Sequence, residues 1–203
     1  MLAVLFITFF ILYEKGGIRR YLLSLVPNRY FEVTIVAVTK IERMLSNYLL
    51  GILLQMISIF TVAAFGLILV GVDYAITIAV FAAVMNLVPF LGPMMGALFG
   101  LIVGISTNSE LAEANSELYL ILMGKIIAVF AVVQLADNLF LQPLIFSKSV
   151  QAHPLEIFLI VFVGANLAGA VGMILAIPTY TILKVSFTEF FKGYKQYRIF
   201  RNG

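Results

Sequence analysis

The sequence predicts an all-α integral membrane protein in which transmembrane helices alternate with two broken, re-entrant helical hairpins forming an inverted repeat. Three observations lead there. Of 203 residues, 63% are hydrophobic and only 11% charged, with mean hydropathy +1.10. A soluble domain carries about 25% charged residues, so this chain cannot cover a soluble surface. Next, uncharged runs of 23, 36 and 27 residues lie at Tyr48–Val70, Tyr74–Ser109 and Ile157–Leu183. A membrane-spanning helix needs about 20. Third, the two longer runs carry helix breakers at matched places, NLVPFLGPMMG at 86–96 and GANLAGAVG at 164–172.

The elements follow in order. Residues 1–13, MLAVLFITFFILY, are apolar but short for a span. They lack a basic start or small-residue cleavage site, and they read as the end of a transmembrane helix whose beginning is missing. In 28–47, Phe31, Ile35, Val38, Ile41 and Leu45 follow helical spacing while Glu32, Lys40 and Arg43 face elsewhere. That is an amphipathic helix, suited either to the membrane surface or to packing on another subunit. Residues 48–70 form a transmembrane helix and 74–105 the first hairpin. The polar loop STNSELAEANSE follows, then a transmembrane helix over 118–140, the second hairpin over 155–186 and a basic, aromatic tail over 187–203.

Orientation follows lysine and arginine in short loops. The basic stretch 14–43 is expected inside, with Lys148 and the tail cations Lys192, Lys195, Arg198 and Arg201. The acidic loop 106–117 has no lysine or arginine and is expected outside. Both breaker-containing runs must then leave the membrane on the side they entered. Each is about 32 residues, too long for one helix across a ~30 Å core unless strongly tilted. The pairs Asn86-Leu87…Gly92 and Asn166-Leu167…Gly172 are offset by the same 80 residues. Inverse orientation with matched breaks is the pattern of an inverted-topology repeat whose broken helices meet near the bilayer midplane. A pair of kinked or tilted spans is the competing reading.

Broken backbone inside a bilayer survives only under protein or around a wet cavity. Asn86, Pro89, Gly92 and Pro93, with Asn166, Gly169 and Gly172, are therefore candidate substrate-binding positions. Asn offers a donor and an acceptor, and prolines free upstream carbonyls. The alternative is a packing hinge of small residues. Asp137, with Asn138 and Gln142, is a candidate coupling group or polar pathway, because ionisable residues at membrane depth are costly. Gln55 reads as an interhelical hydrogen bond, Lys125 as a snorkelling cation and the lone His153 as structural. With no cysteine, no phosphate loop and no metal-ligand spacing, neither an enzyme nor a cofactor or metal site is expected, and nothing points to nucleic acid.

The segments NLVPFLGP at 86–93, DNLFLQPLIFSKSVQAHPL at 137–155 and FVGANLAGAVGMILAIP at 162–178 resemble the autoinducer-2 exporter family of membrane transporters, over essentially the whole chain. FILYEKGGIRR resembles the end of that family's third helix. The resemblance implies a multi-pass cell-membrane transporter in a lipid bilayer, homo-oligomeric (a pentamer is the candidate count), with a cytoplasmic C-terminus. It implies export of small polar molecules such as autoinducer-2, with or without ion coupling. Sodium/proton antiport is the alternative within the family. Family members are longer at the N-terminus, so a non-transporting fragment or assembly partner is a further reading.

The cysteine-free background allows a direct test of topology. Ser109→Cys and Lys195→Cys are expected to react with membrane-impermeant maleimide from opposite sides of sealed vesicles. Same-side labelling contradicts the inverted orientation.

Overall fold

The computed structural model describes residues 17–88, 91–107, 116–144 and 153–197. The described residues are helical with no strand. The helices are α1 (Gly17–Ser24), α2 (Asn28–Leu69), α3 (Ala75–Met85), α4 (Leu91–Thr107), α5 (Ser116–Ala136), a π-helical turn (Asp137–Leu141) and α6 (Pro154–Tyr197). Three helical stretches are long and apolar enough to cross a membrane: Asn28–Leu69, Ser116–Leu144 and Leu155–Gly193. The expected partial helix 1–13, Lys148 and the last six residues lie outside the described segments.

Two expected elements are one. The amphipathic stretch 28–47 and the span 48–70 form a single unbroken helix, α2, of 42 residues. Ser46 and Asn47 at the expected junction are weak helix formers, but neither removes a backbone donor as proline would.

The chain divides into two compact units. The larger, residues 44–180, has a core of Ile59, Ala63 and Leu67 from α2, Ile78, Ala79 and Ala82 from α3, and Ile126, Phe130 and Val133 from α5. α4 enters through a glycine face repeating every four residues: Gly92, Gly96, Gly100 and Gly104 are all buried. A Cβ at Gly96 would sit 2.5 Å from both Ala82 Cβ and Phe130 Cε1, and at Gly100 it would sit 3.2 Å from Ile126 and 3.3 Å from Ile78. Helices in an apolar medium gain little from hydrophobic burial, so close backbone approach through small residues has to hold them together. Phe81 and Phe99, with ring centroids 4.3 Å apart, close the α3–α4 pair.

α6 is two helical arms, 154–167 and 170–197, doubled back at Ala168 (φ −144°, ψ 23°) and Gly169 (φ 58°, ψ −138°). Tyr180 donates its hydroxyl to Glu156 Oε2 at 2.5 Å. In a straight helix, residues 24 apart would be about 36 Å distant. Gly164 and Gly172 face each other so closely that a Cβ on either would strike the other's backbone carbonyl. The Gly169 conformation is one that essentially only glycine adopts. Ile157 and Ile177, from the two arms, share a second apolar cluster with Tyr48. One reversal thus lies between α3, ending at Met85, and α4, starting at Leu91, and the other at Ala168–Gly169.

The described part of the smaller unit comprises 17–43 and 181–197. In it, Lys40 Nζ meets Glu189 Oε1 at 2.9 Å, and a Cβ at Gly193 would lie 2.6 Å from Val33 Cγ2.

Gly96→Leu should destabilise the larger unit by about 1–3 kcal/mol through overpacking. Gly124→Ala, where nothing lies within 4 Å of the added carbon, should be neutral or slightly stabilising. Equal melting temperatures for the two variants by circular dichroism would refute the glycine-face packing.

Candidate functional site

Asp137 is the most deeply buried ionisable group among the described residues, at 0% exposure. It lies at the first position of the π turn. Pro143 explains that turn: it has no N–H to offer the carbonyl four residues back, and its ring crowds that carbonyl. The chain responds with a wider loop, and Gln142 N–H bonds to the Asp137 carbonyl, five residues away. On an α-helix, residues five apart point about 140° away from each other. The π turn instead stacks them, so Gln142 Nε2 donates to Asp137 Oδ2 at 2.6 Å. Local π turns of this kind recur at functional sites.

The other carboxylate oxygen is held from a different helix. Gln55 Nε2, on α2, donates to Asp137 Oδ1 at 2.5 Å, and Gln55 and Gln142 are themselves only 4% and 6% exposed. Asn138 is exposed. Its Oδ1 accepts from Gln134 Nε2 at 3.0 Å and Gln142 Nε2 at 3.2 Å, continuing the amide chain outward. Each Asp137 oxygen thus has one amide donor, and among the described residues no cationic side chain pairs with it. A buried carboxylate without a counter-charge is expensive in an apolar interior, and amide bonds offset only part of that cost.

Asn86 sits at the end of α3, 2% exposed. Its Nδ2 and Oδ1 have no hydrogen-bond partner among the described residues. Gly92 makes room for it: a Cβ there would fall 2.5 Å from Asn86 Cβ and 2.6 Å from its Oδ1. Pro93 is buried beside it, whereas Pro89 lies outside the described residues. Along α4, Gly104 faces Met123 and Ile126, Gly100 faces Ile126 and Phe130, and Gly96 faces Phe130. One more turn of this antiparallel register leads from Gly96 beside Phe130 toward residue 134 at Gly92.

The second predicted cluster is different. Asn166 is exposed, and its amide donates back to the Phe162 carbonyl at 2.8 Å. Gly169 forms the exposed turn, and Gly172 serves arm-to-arm contact. No described hydrogen bond links these residues to Asn86 or Asp137. His153 accepts the Leu155 N–H on Nδ1 at 3.3 Å at the start of α6. Among the described residues no group of three or more His, Asp or Glu could hold a metal.

Comparison with known proteins places the chain. The family model for AI-2E family transporters matches residues 1–192. The chain is 28% identical over 187 residues to "Putative transport protein YueF" of Bacillus subtilis, covering 92% of this chain and 48% of that protein. It is 37% identical over 145 residues to "Putative permease PerM" of Escherichia coli K12, covering 71% of this chain and 38% of PerM. It is 40% identical over 67 residues to "Putative transport protein YrrI" of Bacillus subtilis, covering 33% and 19%. The chain thus spans about half or less of the length of these relatives. No solved structure matches it.

Gln55→Leu removes one of the two donors to a buried carboxylate and should cost about 1.5–3 kcal/mol, the range for a hydrogen bond to a charged group. In an Asp137→Asn background the same change should cost clearly less. Additive losses in the double-mutant cycle, followed by denaturant unfolding in detergent, would show that the two side chains are not coupled.

Proposed function

Because the chain belongs to the AI-2E family of transporters, we propose that it is a secondary transporter subunit for small polar molecules of the autoinducer-2 class, with Asp137 as the coupling group. The observation that carries this reading is the presence of two unusual buried groups in the larger unit. Among the described residues, one is a carboxylate held by amides with no cationic partner, and the other is an amide with both polar atoms unpartnered. A neutral, hydroxyl-rich solute would find in Asn86 a donor and an acceptor. Asp137 would take up a proton or cation in one state and be satisfied by Gln55 and Gln142 in the other. Gln55 lies on α2 and Gln142 caps the π turn, so exchange at Asp137 would alter the tie between those two elements. Alternating access needs an event of that kind.

The two chain reversals, between α3 and α4 and at Ala168–Gly169, support an inverted repeat of re-entrant hairpins. In this reading the C-terminus lies on the cytoplasmic side and several copies assemble in the membrane. Sodium/proton antiport at Asp137 is the second reading, favoured by the absence of a cationic partner among the described residues.

Two substitutions in proteoliposomes test the assignment. Asn86→Leu replaces an unpartnered buried amide with an apolar group of similar size. It should leave stability unchanged or raise it by about 1 kcal/mol, yet lower autoinducer-2 flux at least tenfold. Asp137→Asn should abolish the dependence of flux on a pH or sodium gradient. Wild-type flux in both variants would remove these residues from the transport path. Sodium/proton exchange without solute flux, lost in Asp137→Asn, would favour the antiporter.

A further inference from the structure

A groove of about 340 Å³ runs along the outside of the larger unit between α2 and α5. Its walls are almost wholly apolar: Val62 and Phe65 on one side, Ala128, Val129 and Val132 on the other. Gly66 forms the floor, since a Cβ there would lie 2.7 Å from Val129 Cγ1. The two helices run antiparallel past that contact, so Val70 faces Lys125 at one end and Val62 faces Val132 at the other. From Val70 to Val62 is about 12 Å along the helix.

Lys125 is the only charged residue between Leu118 and Ala136. Its side chain is exposed at the rim of the groove. Among the described residues it makes no hydrogen bond or ion pair, and Asp73, in the turn just beyond Val70, does not reach it. An ammonium in a spanning helix needs either water or an anion. Lys125 stands with Val70, at the end of α2 next to the turn that carries Asp73, and a polar turn at the end of an apolar helix is where a headgroup is expected to lie. Below it the groove is apolar for the reach of a short acyl segment. A cation at the rim and hydrocarbon along the trough describe an amphiphile with a negative head.

We propose that this groove is a binding site for an anionic phospholipid, with the phosphate on Lys125 and one acyl chain against Val62, Phe65 and Val129. The lipid would lie between α2, which carries Gln55, and α5, which leads into Asp137. It would therefore tie together the two elements whose connection the carboxylate makes. The site does not depend on the transported solute and stands whether or not the transport reading holds.

The test uses the full chain in nanodiscs of phosphatidylcholine with or without phosphatidylglycerol, read by thermal unfolding and by lipid adducts in native mass spectrometry. Phosphatidylglycerol should raise the melting temperature and stay bound in preference to phosphatidylcholine. Lys125→Gln, an exposed change that leaves the packing intact, should lower that preference about fivefold. Ala128→Phe, which fills the trough, should remove retained lipid of either kind. Arg20→Gln, at an exposed cation outside the groove, should change nothing. Equal phosphatidylglycerol preference in wild type and Lys125→Gln would overturn the proposal. So would inorganic phosphate displacing the lipid effect in full, or Ala128→Phe altering the oligomeric state without altering lipid retention, which would make the groove a contact between copies.

Discussion

Hydrogen-bond satisfaction in an apolar medium is the constraint on which the rest of this structure depends. A chain with 11% charged residues can interrupt a helix only where the freed groups are covered or find partners. The first interruption is covered by protein, with Asn86, Val88, Gly92 and Pro93 all buried, but the Asn86 amide finds no partner among the described residues. At the Asp137 turn a five-residue backbone bond takes up the Asp137 carbonyl, and two glutamine amides satisfy its carboxylate. The second interruption leaves Asn166 to Ala170 exposed, and there the only local remedies are a glycine conformation and an asparagine folded back on its own helix.

Packing follows from the same medium. Where water does not drive helices together, contact area must come from shape. The glycines of α4 lie every fourth residue, one face of the helix, and meet alanine, isoleucine and phenylalanine side chains of α3 and α5. Because every contact in that stack is close, its register is fixed. At its Asn86 end the same glycine face makes room for the Asn86 side chain through Gly92.

Much of this was legible in the sequence. Both breaks were visible as Pro, Gly and Asn in charge-free runs, and both are chain reversals. Gln55, a lone polar residue amid apolar ones, is indeed an interhelical hydrogen bond, and its partner is Asp137. The pairing of Asp137 with Gln142 was not legible as contact, because α-helical spacing turns residues five apart away from each other and only the π turn reverses that. The continuity of α2 across 47–48 was hidden too: a change from amphipathic to apolar pattern suggested a junction, yet pattern reports environment and not backbone breaks. The role of Asn166 could not be read from its match to Asn86, since equal spacing does not fix burial.

The central claim is that the Asp137 carboxylate changes its bonding when ligand binds. Infrared difference spectroscopy on purified protein in lipid tests it directly, with autoinducer-2 or sodium added in turn. The account predicts a shift in a carboxylate or carboxyl band on ligand addition that disappears in Asp137→Asn and moves in frequency in Gln55→Leu. An identical difference spectrum in wild type and Asp137→Asn would contradict it.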